Sequence, residues 1–239
     1  PVRAAGRSPG GRVVVASVEN GHLRLFNLTM QTDLPVSWAV DEIVGHRGRL
    51  YLRMGDRILE GILTDAGGQV LATTRSVANV LPNAVRLYEG VAIQNLLGSQ
   101  FVSLFPRSGL SYQMRIRELE GYRVIDAKSD GRVLMVVGAQ KAGGRVDRLT
   151  FVFDAEFYTY RALEVVQNIV PSGLNFVTLD TGVCAHLTEE EVLELWNVDT
   201  PENVRAIEDP VLGNDMRLVH LGGRVGFIRG NTVFSLKLA

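Results

Sequence analysis

The 239-residue chain holds a single cysteine, Cys184. One thiol closes no disulfide within the chain, which excludes a disulfide-stapled framework. No apolar run approaches the ~18–20 residues that a membrane-spanning helix requires. The N-terminus lacks the basic, apolar and small-residue succession of a secretory signal. These absences favour an intracellular setting and give no membrane partner. Charge of either sign is not in excess: 25 Lys and Arg face 26 Asp and Glu, for a net charge of −1. A broad basic surface is therefore missing, which argues against a nucleic-acid partner. The four histidines, His22, His46, His186 and His220, have no second His, Cys or carboxylate at metal-ligand spacing. No metal and no cofactor is expected. The chain begins at Pro1 rather than Met, as expected of a piece of something longer with other domains upstream.

What is present is a repeated pattern. Residues 12–28 place two β-prone runs on either side of Asn20-Gly21, a pair that accepts positive φ and matches the twist of the strands it joins. The same design returns about every 40 residues, the period of a repeat architecture. Gly11-Arg12-Val13, Gly48-Arg49-Leu50, Gly131-Arg132-Val133 and Gly223-Arg224-Val225 each open an apolar run. Gly90-Val91 and Gly182-Val183 hold the equivalent place without the arginine. Each run leads through a turn to a further strand with an aromatic at a similar position: Phe26, Phe151, Trp196 and Phe234. Near-continuous Val, Leu and Ile runs imply sheets buried on both faces. Sheets of this kind are stable when arranged radially against their neighbours. The expected fold is all-β, a β-propeller of about six four-stranded antiparallel blades, with five or seven left open. It would span residues 12–239, with residues 1–11 a tail or incoming linker whose residues 2–5 are able to pair as an edge strand.

Several local readings carry their own expectations. Residues 29–35 form a polar loop before a short strand at 36–40. The last unit stops after its third strand, so either the N-terminal segment serves as a donated outer strand or the chain lacks a piece. Thr188-Glu189-Glu190-Glu191 fits a helix-capping box, but the position in the repeat prefers a strand from Val192. Residues 138–144 are glycine-rich and end without the Lys-Ser/Thr of a phosphate loop, so they are expected to be a long hairpin loop.

Residues 17–28 resemble the second and third strands of a WD40-type blade. Phe26-Asn27 and Trp196-Asn197 stand where that family has Trp-Asp, and Gly45-His46 and His220 are similar to its Gly-His element. No unit carries a true Trp-Asp, so the chain is WD40-like. The resemblance implies a rigid platform for protein contacts without catalysis.

Candidate contact residues fall on loops and strand ends. Lys141 and Arg145 lie on the glycine-rich stretch. Glu19, Asp56, Lys141 and Glu189 come from equivalent turns, and Glu190 adjoins the last of them. Trp38, Tyr158 and Tyr160 are aromatics near strand ends, able to anchor a partner, with core packing the commoner fate. Two charged segments stand out: residues 107–148 hold nine Lys and Arg, and residues 189–209 hold eight Asp and Glu against Arg205 alone. They read as solvated loops, or as opposed patches that orient a partner. Cys184-Ala185-His186 puts thiol and imidazole on one face of a strand; a nucleophile pair is conceivable there, against the commoner fate of a buried Cys as a small hydrophobe. Asn27-Leu28-Thr29 matches a glycosylation acceptor that would need a secretory context. The reading is a non-enzymatic scaffold with other proteins as partners, within a larger polypeptide, a multi-subunit assembly or a virion. Its rivals are a propeller enzyme and a small-ligand or carbohydrate-binding propeller.

Overall fold

A computed structural model describes residues 2–81, 84–105, 113–154, 159–163, 165–170, 173–221 and 223–235. Its strands form six antiparallel sheets, taken up in chain order. Sheet 1 joins β1 (Ala4–Arg7), β2 (Val13–Glu19), β3 (His22–Asn27) and β4 (Thr32–Asp33). Sheet 2 joins β5 (Glu42–His46), β6 (Arg49–Met54), β7 (Arg57–Ala66) and β8 (Gln69–Asn79). Sheet 3 joins β9 (Val85–Tyr88), β10 (Val91–Leu96), β11 (Ser99–Leu104) and β12 (Gln113–Arg115), followed by a 3-10 turn at Arg117–Leu119. Sheet 4 holds β13 (Tyr122–Ser129), β14 (Val133–Gln140), β15 (Val146–Asp154), β16 (Thr159–Ala162) and β17 (Val166–Gln167). Sheet 5 holds β18 (Phe176–Thr178), β19 (Val183–Leu187), β20 (Val192–Asn197) and β21 (Thr200–Glu208). Sheet 6 holds β22 (Arg217–Leu221), β23 (Arg224–Arg229) and β24 (Thr232–Ser235). Each is an up-and-down meander, the plan of a propeller blade.

One glycine recurs for one reason. Gly11, Gly48, Gly90, Gly131, Gly182 and Gly223 all sit in the turn between the first and second strands of their sheet, with φ between 75° and 83°. A side chain is strained in that conformation, so the repeat read from the sequence is a repeat of turn geometry. The Asn20-Gly21 turn has φ of 52° and 77°, which places both central residues in the left-handed region that suits a two-residue hairpin.

The chain divides into two units, residues 1–120 and 121–239, with three sheets in each. In the first unit, Leu23 and Leu25 of sheet 1 pack against Leu50 and Leu52 of sheet 2. The opposite face of sheet 2 turns Tyr51 and Ile58 onto Val85, Leu87 and Phe105 of sheet 3. Tyr51 stacks on Phe105 with ring centroids 4.1 Å apart. In the second unit, Cys184 and Trp196 of sheet 5 face Val133 and Met135 of sheet 4. The other face of sheet 5 packs Ala185, Leu187 and Leu195 onto Leu218, Val225 and Phe227 of sheet 6. Sheets 2 and 5 are thus buried on both faces, as their unbroken apolar runs require. A side chain the size of Leu contributes about 1.5–3 kcal/mol when buried in such a seam.

Sheets 1 and 2 approach closely. A Cβ on Gly45 would lie 3.2 Å from the Ala5 carbonyl oxygen and 3.3 Å from its nitrogen. Arg7 donates its backbone N–H to Gly48 O at 2.7 Å, which ties the end of β1 to the turn of sheet 2.

Three expectations are corrected. Residues 4–7, inside the expected tail, form the first strand of sheet 1, paired in register with Val13 to Ala16; the edge pairing expected of residues 2–5 is met at Ala4 and Ala5 and runs on to Arg7. Sheet 6 has three strands among the described residues. Residues 36–40 make no continuous strand. Pro35 has no N–H to give, and the outer strand is interrupted there: β4 pairs with Phe26 and Asn27, and pairing resumes only as a His22–Ala39 bridge. The loop expected at 138–144 is shorter, because residues 138–140 belong to β14. Gly138 pairs with Asp147 and Ala139 with Val146, while Gln140 pairs with Tyr122 on the other side, leaving a short turn at 141–144. The preference for a strand from Val192 over a helix agrees with β20: Thr188 Oγ1 accepts the Val192 N–H at 3.2 Å, and Glu191 takes φ of 63°. The expected turn at 106–109 and residues 157–158 of the expected strand at 157–163 lie outside the described residues.

Candidate functional site

The second unit gathers most of the chemically capable side chains. Asp147, the second residue of β15, is wholly buried. Its Oδ2 accepts the Tyr122 hydroxyl at 2.8 Å and Gln140 Nε2 at 2.9 Å. Its Oδ1 accepts Arg145 Nε at 2.9 Å and the Asn168 N–H at 3.2 Å. Burial alone would raise this carboxyl. The Arg145 guanidinium, the Tyr122 hydroxyl and the Asn168 N–H outweigh it and hold the group below the usual carboxylate range. Gly138 makes room for this: a Cβ there would meet the Tyr122 side chain at 3.0 Å. Arg145, expected as a contact residue, is therefore a structural partner.

The next residue, Arg148, turns to the other face of β15. Its Nη1 donates to Glu189 Oε2 at 2.8 Å and lies 3.3 Å from His186 Nε2. His186 Nδ1 lies 3.0 Å from Glu194 Oε2. A guanidinium has no lone pair to offer, so Nε2 must accept and Nδ1 must carry the proton that Glu194 receives. The ring is a neutral tautomer with both nitrogens committed. Burial pushes its pKa down, the Arg148 charge adds to that, and the Glu194 hydrogen bond opposes it without prevailing. Glu194 is held low by the same hydrogen bond. Arg148 Nε is buried with no hydrogen-bond partner.

A recess of about 520 Å³ opens over this cluster between sheets 4 and 5. Arg148, His186 and Glu194 lie at its polar end; Met135, Trp196 and Leu163 supply apolar lining. Val166 and Val204, on the outer strands β17 and β21, line it too and are 41% and 52% exposed.

In the first unit a cleft of about 790 Å³ runs beside β1, the β5–β6 turn and the β7–β8 hairpin. The hairpin outruns its sheet: Leu63 to Ala66 pair only with β8. Its tip is anchored to sheet 1, where Asp65 Oδ2 accepts the Gly10 N–H at 2.6 Å and Oδ1 lies 3.3 Å from Arg12 Nη1. Four arginines line the cleft: Arg7, Arg47, Arg49 and Arg75. The sequence signals only Arg49, through its Gly-Arg pair; the others come from segments that β pairing alone brings together.

The remaining candidates scatter. Asp56 is exposed beside Arg57, and Glu19 is exposed beside Arg24. Glu190 is exposed, whereas Glu189 turns inward to Arg148. Lys141 occupies the β14–β15 turn. Trp38 is half-buried and packs on the seam of sheets 1 and 2. Tyr160 sits against Phe151 and Phe153 at 5.9 and 6.0 Å, and Tyr158 lies outside the described residues. Two ion pairs join the basic and acidic segments: Arg132 with Asp199 at 2.6 Å and Arg148 with Glu189 at 2.8 Å. Cys184 is buried, and burial pushes its thiol far up, away from thiolate chemistry. Asn27 is buried, and its Oδ1 accepts the N–H groups of Thr29 and Met30 at 3.0 and 3.1 Å. Asn197 Oδ1 accepts the Asp199 N–H at 2.9 Å in the equivalent turn. Both are turn caps, which leaves Asn27 out of reach of a glycosylating enzyme in this fold.

No family model and no curated protein matches the sequence. Among solved structures, Kluyveromyces lactis Hsv2 aligns at a TM-score of 0.48 and 10% identity, over 91% of this chain and 73% of that one. The form described as KlHsv2 with loop 6CD replaced by a Gly-Ser linker aligns at 0.46 and 12%, over 91% and 72%. At such scores the description of this chain rests on its own geometry: six blade-type antiparallel sheets, three to each unit.

Proposed function

We propose that this chain is a non-enzymatic protein-interaction module whose six sheets close as a β-propeller, and that the recess between sheets 4 and 5 receives an apolar side chain of a partner protein. One observation carries the reading: the recess has apolar lining and exposed valines on its outer strands, while at its inner end Arg148 Nη1, both nitrogens of His186, and Glu194 are tied to one another. Binding there gains from burial of Val166, Val204 and Trp196. A general-base role for His186 would need the Nε2 lone pair, which already faces Arg148. A fixed recess on rigid sheets suits a subunit of a larger assembly, whether a multi-subunit complex or a virion.

The test is peptide selection from a random display library, followed by calorimetry of the selected peptides on the native chain, Val166→Glu and Val204→Glu. Peptides centred on a large aliphatic or aromatic residue, weakened at least about tenfold by either variant, support the reading. Both positions are exposed, so thermal midpoints should stay within a degree or two. Selected peptides indifferent to both variants would overturn it, as would saturable binding of a simple sugar lost in His186→Gln.

A further inference from the structure

We propose that the arginine-lined cleft of the first unit is a binding site for a small molecule bearing a di- or triphosphate group. This goes beyond the partner recess, which lies in the other unit.

Arg7 ends β1, Arg47 lies in the β5–β6 turn, Arg49 opens β6, and Arg75 lies in β8; all four line one cavity. The only carboxylate among its lining residues is Glu60, which leaves a net charge of +3. In a chain of net charge −1 this is a local concentration of one sign. Such a concentration suits a compact polyanion that enters a cleft, where a long nucleic acid would want a field spread over the whole surface.

Glu60 makes the site a built one. It pairs across the strands with Arg75 and stands beside Tyr51, with Arg49 on the diagonal. Its side chain is 8% exposed, and its two oxygens hold one arginine each: Oε1 takes Arg49 Nη1 at 2.9 Å, and Oε2 takes Arg75 Nη2. One buried carboxylate thus fixes two guanidinium planes side by side, at little further entropy cost to a ligand. Arg49 and Arg75 remain 42% and 46% exposed. Each guanidinium has five donors, and the bond to Glu60 uses one of them. The remaining donors form the planar forks that match phosphate oxygens in pairs. Arg7 and Arg47 extend the positive lining, and both are exposed. A single carboxylate or orthophosphate would leave most of this charge unanswered, whereas a triphosphate carries three to four negative charges. The cavity volume of about 790 Å³ falls within the range of small-molecule sites, roughly 300–1,000 Å³.

The experiment is calorimetric titration of the 239-residue chain with sodium orthophosphate, pyrophosphate and tripolyphosphate at fixed ionic strength. It is repeated on Arg75→Gln, Arg75→Lys, Arg7→Gln and, as a control on the other unit, Arg123→Gln. The expected order of affinity is tripolyphosphate over pyrophosphate over orthophosphate. Arg75→Gln and Arg7→Gln should each weaken tripolyphosphate about tenfold, Arg75→Lys should restore only part of the loss, and Arg123→Gln should change nothing. Circular dichroism confirms that each variant is folded. Absence of binding at about 1 mM tripolyphosphate overturns the proposal, as does binding that the folded Arg7 and Arg75 variants leave unchanged. Cosedimentation with phosphatidic acid vesicles separates the two sources of phosphate. Vesicle binding lost in Arg75→Gln, with no binding of free tripolyphosphate, overturns the soluble ligand in favour of a lipid headgroup.

Discussion

Asp147 is the residue whose loss the second unit should feel most. Asp147→Ala removes the acceptor of four hydrogen-bonding groups: Tyr122 Oη, Gln140 Nε2, Arg145 and the Asn168 N–H. Arg145 is 33% exposed and turns to water at small cost. Tyr122, Gln140 and Asn168 are held by the packing of β13, β14 and the chain after β17. Leaving a buried donor unsatisfied costs about 1–3 kcal/mol, and breaking a buried ion pair from one side about 3–5. Allowing for partial rehydration, the expected loss is about 3–4 kcal/mol, a large share of a typical total of 5–15. Urea denaturation followed by tryptophan fluorescence reads it directly, because Trp196 lies in this unit. With a slope of about 2 kcal/mol/M, the midpoint should fall by roughly 1.5–2 M. Tyr122→Phe alone should cost about 1–2 kcal/mol, and the double variant should cost clearly less than the sum, since both remove the same bond. A loss under 1 kcal/mol for Asp147→Ala, or strict additivity with Tyr122→Phe, would show that water replaces the carboxylate and that the network is not what holds β13, β14 and β15 together.

Further expectations follow from the same geometry. His186 has a folded pKa below its unfolded value near 6.5, so the unfolded chain takes up the proton first as pH falls. Stability should be full above about pH 6.5 and decline below it until the folded pKa is reached; thermal midpoints from pH 8 to 5 should show that slope, and His186→Gln should flatten it. Gly45→Ala sets a methyl against the Ala5 backbone, which has no rotamer to yield, and should cost about 1–3 kcal/mol in equilibrium unfolding. Asn27→Ala strips two N–H groups of their acceptor and should cost about 1–2 kcal/mol by the same measurement. Cys184 should resist a thiol reagent in native buffer and react stoichiometrically once the chain is unfolded; fast native reaction would contradict its burial.

The sheets were legible because their determinants are local. Gly11, Gly48, Gly90, Gly131, Gly182 and Gly223 announce a turn that needs positive φ, and the apolar run after each announces a buried strand. The ring aromatics and Asn27 were placed by the same repeat. What escaped the sequence depends on partners far along the chain. Gly138 looks like a loop residue until Tyr122 is known to lie over it. Arg148 and Glu189 look like surface charge until β15 and the turn after β19 bring them within 2.8 Å, 41 residues apart. Asp147 gives no sign in its neighbours that it will be buried. The cleft is the extreme case, since Arg7 and Arg75 share it across 68 positions and only pairing through Glu60 and the β5–β6 turn unites them.

The meander within each sheet has a kinetic consequence. Every four-stranded sheet pairs strands that follow one another in sequence, so each rung closes a short loop and loses little chain entropy. The long-range steps come later, when sheets 1 and 3 dock on the two faces of sheet 2, and sheets 4 and 6 on those of sheet 5. Hairpins should therefore form early and the seams late, with the central sheet of each trio as the surface on which the others condense. Substitutions in turns such as Asn20-Gly21 should then slow folding, while those in the seams, such as Leu52 or Val225, should mainly hasten unfolding.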